Sequence, residues 1–65
     1  METENRLLKN IEKLIDETDL ALEDCIRVAI KEFDDQEALQ KEYEKFGLES
    51  YVKYLIVKVV CEGIV

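Results

Sequence analysis

The stretch that decides the fold is "LLKNIEKLIDETDLALEDCIRVAI", residues 7–30, because its apolar residues recur at the spacing of one helical face. Positions on this face are separated alternately by three and four residues, the a/d pattern of a heptad repeat, with a single polar member. They are Leu8, Ile11, Ile15, Thr18, Leu22, Cys25 and Ala29. The pattern keeps its phase through "DETD" (16–19), which has no glycine for a loop. We therefore predict one continuous helix over about residues 4–33; the alternative is a break at 16–20, with Asp or Thr capping a second helix.

The length of this predicted helix determines the expected assembly. About thirty residues at 1.5 Å each would form a rod of ~45 Å, whereas a compact globule of 65 residues is about 28 Å across. The rest of the chain is too short to cover such a rod, so we expect a single helical domain (1–65) that assembles as a homodimer or higher oligomer. The expected interface residues are apolar positions of the long helix and of the C-terminal segment: Leu8, Ile11, Ile15, Leu22, Tyr54, Leu55 and Val59.

A second, shorter helix is predicted for residues 33–48. Asp34 is the expected N-cap, with Glu37 three residues later in an arrangement like a capping box. Gly47 is expected to end the helix in a left-handed conformation, followed by an apolar contact from Leu48.

The C-terminal segment "YVKYLIVKVVCEGIV" (51–65) is ambiguous between helix and strand. Its many β-branched residues favour a strand, but no other strand is predicted with which it could pair. We therefore expect an apolar helix that Ser50 caps, with Lys53 and Lys58 reaching solvent. The predicted fold class is all-α, with a long N-terminal helix, a short second helix and an apolar C-terminal helix.

The composition excludes several kinds of chemistry. The sequence has no histidine and Ser50 is its only serine, so Ser–His and Cys–His nucleophiles and imidazole metal sites are ruled out. Cys25 and Cys61 do not form a CxxC motif, and no signal peptide precedes them, so we expect reduced thiols in a cytoplasmic protein. The C-terminal apolar run is too short to span a bilayer. We expect no membrane association, no cofactor, no metal and no enzymatic activity.

The net charge of −7 is concentrated in residues 16–37, where nine acidic residues face only Arg27 and Lys31. Such a surface repels phosphate backbones, so we expect no direct nucleic-acid binding. The leading hypothesis is a non-catalytic protein-interaction module, of the regulator, antitoxin or inhibitor type, that binds and masks a partner with a basic surface. The residues expected to contact that partner are Asp16, Asp19, Glu23, Asp34 and Asp35.

Two alternatives involve a ligand. An oligomer could bind a small anion, such as a nucleotide, between subunits through Lys53, Lys58 and the aromatic residues near the last turn; a role in the core is the simpler interpretation of those aromatics. They are Tyr43, Phe46, Tyr51 and Tyr54. A metal-dependent helical hydrolase could use one stripe of acids with spacing 4, 3 and 4, for which a solvated helix edge is the simpler interpretation. The stripe consists of Glu12, Asp16, Asp19 and Glu23.

Overall fold

The computed structural model describes residues 2–63, and this part of the chain contains four helices and no strand. They are α1 (Glu2–Glu17), α2 (Leu22–Lys31), α3 (Gln36–Tyr43) and α4 (Leu48–Cys61). The predicted all-α fold is confirmed, as is the choice of helix over strand for the C-terminal segment. None of these helices is long and apolar enough to cross a membrane.

The continuous helix predicted for residues 4–33 is wrong, and the alternative of a break near 16–20 is what the structure shows, because the chain turns between α1 and α2 with Ala21, not Asp or Thr, as the N-cap of α2. The hydroxyl of Thr18 donates to the carbonyl of Leu14 at 2.7 Å, and its backbone N–H donates to the same oxygen at 2.9 Å. Ala21 is extended, with φ −63° and ψ 156°, and precedes the first turn of α2. Within residues 2–63 no residue other than glycine has a positive φ. The turn therefore forms without glycine, because hydrogen bonds from Thr18 end α1 and an ordinary extended residue starts α2.

The helices α1 and α2 form an antiparallel hairpin with polar contacts at both ends. At one end Arg6 donates from Nη2 to both carboxylate oxygens of Asp34 at 2.6 Å, and its guanidinium stands 5.1 Å from the ring centroid of Phe33. At the other end Thr18 Oγ1 lies 3.9 Å from Cys25 Sγ. The described chain measures 29 × 22 × 19 Å. The rod of ~45 Å does not exist, so helix length no longer requires a second chain to cover it.

The core lies between this hairpin and α4, with α3 packed on α4 at one side. Four of the residues expected at an oligomer interface are buried inside this core: Leu8, Ile11, Leu55 and Val59. Ile15 and Leu22 pack against the core and are partly buried, while Tyr54 is exposed. The heptad face of the sequence therefore packs within one chain, because each helix of the hairpin turns its apolar side towards the same centre.

Two predicted N-caps are wrong, one by a single residue and the other by three residues. The N-cap of α3 is Asp35, whose carboxylate accepts a hydrogen bond from the N–H of Ala38 at 3.1 Å, whereas Asp34 pairs with Arg6. The start of α4 is Leu48 rather than the residue after Ser50.

Gly47 has the predicted positive φ, 87°, and its N–H donates to the carbonyl of Tyr43 at 2.8 Å. α3 nevertheless ends at Tyr43 with Glu44 as its C-cap, so the predicted helix end at Gly47 is wrong. Gly47 is instead the N-cap of α4, and its ψ of 155° is extended rather than left-handed helical. The turn can therefore be short, and it brings the aromatic residues on its two sides close together. The last two residues of the predicted C-terminal helix segment, 64–65, lie outside the described residues.

Candidate functional site

The side of α4 that faces away from the core carries exposed apolar side chains. Tyr54 is 45% exposed, Val57 60% and Val60 58%. Residues three apart are neighbours on a helix surface, so these three form a continuous band. Phe46, which is 68% exposed, extends the band at its N-terminal end, because it lines the same groove as Tyr54. These four residues are called the apolar strip below.

A groove of about 510 Å³ opens at the Phe46 end of the strip. It lies where the first turn of α1, the last turn of α3 and the first half of α4 come together. The residues that line it are Glu4, Glu42, Phe46, Ser50, Tyr51 and Tyr54. The groove therefore combines three aromatic rings with two carboxylates.

The aromatic residues predicted near the last turn do cluster. The ring centroids of Tyr43 and Tyr51 are 5.8 Å apart, and those of Tyr51 and Tyr54 are 6.0 Å apart with nearly parallel planes. Such distances are those of favourable aromatic pairs. Their predicted role in the core holds for Tyr51 and partly for Tyr43, but Phe46 and Tyr54 face solvent.

Tyr51 stands out because its hydroxyl is buried and has no hydrogen-bond partner within residues 2–63. The side chain as a whole is only 5% exposed. Burial raises the pKa of this phenol to about 12, and the negative charges of Glu42 and Glu4 add to the shift. An unpartnered buried hydroxyl is costly, since most buried polar atoms in proteins are paired.

The two carboxylates of the groove differ in their surroundings. Glu4 accepts a hydrogen bond from the hydroxyl of Tyr54 at 2.6 Å, and Lys58 Nζ lies 3.8 Å from its other oxygen. The bond to Glu4 raises the pKa of Tyr54. Glu42 takes part in no ion pair among the described residues, and no lysine or arginine lines the groove there. The groove consequently favours a positive over a negative occupant.

The acidic residues predicted to contact a partner do not form one surface. Asp16, Asp19 and Glu23 lie around the α1–α2 turn, whereas Asp34 and Asp35 lie at the opposite end of α2. Three of the five already have partners: Glu23 pairs with Arg27, and Asp34 and Asp35 make the contacts with Arg6 and Ala38 described above. Asp16 and Asp19 have no side-chain partner within the described residues. The five acidic residues, which lie close together in the sequence, are therefore divided between the two ends of the hairpin.

An ionic clamp connects α2 with the first turn of α4. Arg27 donates to both carboxylate oxygens of Glu49 at 2.9 and 2.8 Å, and its Nε donates to Glu23 at 3.1 Å. The bonds from Arg27 lower the pKa of Glu49, and the same bonds raise the pKa of Arg27. The clamp joins the first turn of α4 to α2 at the surface of the hairpin.

The geometry does not favour the two ligand alternatives. The acidic stripe from Glu12 to Glu23 needed one continuous helix, but α1 ends at Glu17, and no three acidic or cysteine side chains in residues 2–63 converge as a metal site would require. Lys58, expected to contact an anion, is instead paired with Glu62 at 3.4 Å and with Glu4. The raised pKa of Lys58 has the bond to Glu62 as its main cause.

The cysteines differ from each other: Cys25 is buried and Cys61 is exposed, and both are free thiols. Cys25 therefore packs as a small apolar residue in the interior, whereas Cys61 faces solvent.

Sequence reasoning found the aromatic part of the groove and missed its carboxylates. Glu4 is 50 residues away from Tyr54, so no local spacing connects them. Glu42 precedes Tyr43 in a helix rich in charged residues, and nothing in the sequence distinguishes it from the other acidic residues of that helix. A comparison with protein-family models, with curated proteins and with solved structures finds no match to this chain.

Proposed function

We propose that this protein is a non-catalytic interaction module that binds and masks a partner protein through the apolar strip. The observation that supports this most is the contrast between a well-filled core and an exposed band of Phe46, Tyr54, Val57 and Val60. Single exposed apolar residues are ordinary on protein surfaces, but a contiguous patch is typical of a binding site. A regulator or inhibitor that acts in the cytoplasm fits this description, and the free thiol of Cys61 fits a reducing compartment.

The charge of the chain supports a basic partner. A net charge of −7 on 65 residues attracts a positive surface and accelerates its association. The residues around the strip add to this, because Glu4 and Glu42 lie at the groove where the strip begins. The expected complex therefore has an apolar centre on α4 and an acidic margin.

The experiment removes the strip and leaves the fold unchanged. The protein is immobilised, a partner is captured from cells of its source and purified, and the dissociation constant is measured by calorimetry. The double variant Val57→Gln/Val60→Gln should weaken binding by about tenfold or more, because burial of apolar side chains at an interface centre is lost. Leu20→Gln is the matched control, since Leu20 is an exposed apolar residue on the α1–α2 turn, away from the strip. Equal binding by the double variant and the control would contradict the proposal.

Self-association is the second candidate, because the exposed positions Tyr54, Val57 and Cys61 follow the 3 and 4 spacing of a helix–helix seam. Two copies would also bring together two chains of charge −7, which opposes the pairing. Light scattering at low micromolar concentration distinguishes self-association through the strip from binding of another protein. A dimer that becomes a monomer in Val57→Gln/Val60→Gln supports a homodimer on the strip, and a monomeric wild type leaves the strip free for another protein.

A further inference from the structure

We propose that the groove lined by Glu4, Glu42, Phe46, Tyr51 and Tyr54 receives a lysine or arginine side chain of the partner protein. This rests on the proposed function, because the groove opens at one end of the apolar strip and would hold a residue at the edge of the same interface. Its volume of about 510 Å³ lies within the range in which proteins hold small ligands, ~300–1,000 Å³.

The aromatic rings suit both the apolar stem and the charged end of a lysine or arginine side chain. The faces of aromatic rings attract cations, and sites built from several rings with nearby carboxylates recognise ammonium groups in particular. The ring centroids of Tyr51 and Tyr54 are 6.0 Å apart, and Phe46, which is 68% exposed, lines the same groove. The apolar stem of a lysine or arginine can pack on these rings, while its charged end reaches further in.

The hydroxyl of Tyr51 gives this charged end a partner. It is buried, it has no hydrogen-bond partner within the described residues, and it belongs to a residue that lines the groove. The phenol is protonated at neutral pH, as an ordinary tyrosine is, and a lone pair of its oxygen can accept a hydrogen bond from an ammonium or guanidinium group. The free protein thus carries an unsatisfied group that a bound cation would satisfy.

The carboxylates determine the sign of the occupant, and Lys58 moderates their effect. Glu42 has no ion-pair partner among residues 2–63, so it can bind an incoming cation directly. Glu4 is shared between Tyr54 and Lys58, and the ammonium of Lys58 at 3.8 Å competes with any second cation. Removal of Glu42 should therefore weaken binding, whereas removal of the Lys58 charge should strengthen it.

The test is an NMR titration of the full chain with N-acetyl-lysine methylamide and N-acetyl-arginine methylamide, with the norleucine compound as the neutral probe of similar shape. We expect either cationic compound to shift the ring signals of Phe46, Tyr51 and Tyr54 saturably, and the norleucine compound to bind about fivefold or more weakly. Glu42→Gln should lower the affinity for the cation about fivefold, and Lys58→Gln should raise it about twofold. Glu44→Gln is the matched control for charge, because Glu44 is an exposed neighbour that does not line the groove.

Tyr51→Phe separates a binding role from a merely structural one. The variant should fold, because it loses only an unpaired hydroxyl, and it should bind the lysine compound about threefold or more weakly. Equal affinity for lysine and norleucine compounds, equal effects of Glu42→Gln and Glu44→Gln, or unchanged binding by Tyr51→Phe would each overturn the inference. If the partner still depends on Val57 and Val60 while neither cationic compound shifts the rings, the groove assignment is wrong and the interaction function stands.

Discussion

The helix α4 has two apolar faces of similar composition and very different surroundings. Tyr51, Leu55 and Val59 point into the core, and the hairpin of α1 and α2 covers them. Tyr54 and Val57 lie on the other face and are 45% and 60% exposed, although Glu4 and the ring of Tyr51 contact Tyr54. The comparison teaches that residue type does not distinguish buried from exposed positions in so apolar a helix. Only the position of the neighbouring helices does, and it leaves one apolar face of α4 exposed.

The largest expected difference between the two faces is in stability. Leu55→Ala removes a fully buried side chain from the centre of the core, so it should lower the free energy of unfolding by about 3 kcal/mol. Val57→Ala removes an exposed side chain and should change it by less than about 0.5 kcal/mol. Urea denaturation of both variants at low protein concentration measures the difference. A comparable loss for Val57→Ala would show that the strip is already buried in an assembly of several copies.

The buried Tyr51 and the exposed Tyr54 of α4 should differ in how their ionisation changes the stability of the protein. The pKa of Tyr51 is about 12 in the folded protein and 10 when the phenol is free, so the folded state holds this proton more tightly. Its contribution to stability is complete below pH 10 and is lost as the pH rises through 12, by about 3 kcal/mol at most.

Denaturation at a series of pH values should therefore show a decline in stability over this interval, and Tyr51→Phe should make it shallower. Tyr54→Phe is the control on the exposed face. The pKa of Tyr54 is raised mainly by its bond to Glu4. Ionisation of Tyr54 should therefore also lower stability as the pH rises, but by less than ionisation of Tyr51. A slope that survives in Tyr51→Phe and disappears in Tyr54→Phe would reverse the assignment of buried and exposed faces.

The sequence predicted the helices better than it predicted where the chain turns between them. Periodicity correctly predicted helices throughout, because each apolar stripe must pack on something whether or not the helix is continuous. The turn at Thr18 was only the alternative prediction, since the apolar stripe stays in phase on both sides of it and no glycine or proline marks it. Thr18 ends α1 through a bond to Leu14 that any mid-helix threonine could also make. Local signals at this site were therefore equally compatible with a bend and with a straight helix.

The candidate site was predictable only in its local part. Phe46 and Tyr51 flank one glycine turn, so their proximity follows from the sequence around Gly47. The carboxylate of Glu4 arrives from the other end of the chain once the hairpin has folded back, and spacing cannot indicate it. The predicted acidic residues do not form one patch, because the length of α2 separates Asp16 at one end of the hairpin from Asp34 at the other.

The smallest expected effect concerns the ionic clamp at the start of α4. Arg27→Gln breaks the paired bonds to Glu49, but both side chains are exposed, and exposed ion pairs contribute little to stability. The loss should be well below that of Leu55→Ala and should shrink further at high salt, where screening weakens the pair in the wild type as well. Lys53→Gln is the control, since Lys53 acts on Glu49 only through its charge at a distance. If Arg27→Gln instead destabilises the protein as much as Leu55→Ala does, the clamp rather than the buried face holds α4 on the hairpin. The exposed face would then belong to a helix that is free to detach, and the strip could not serve as a rigid binding surface.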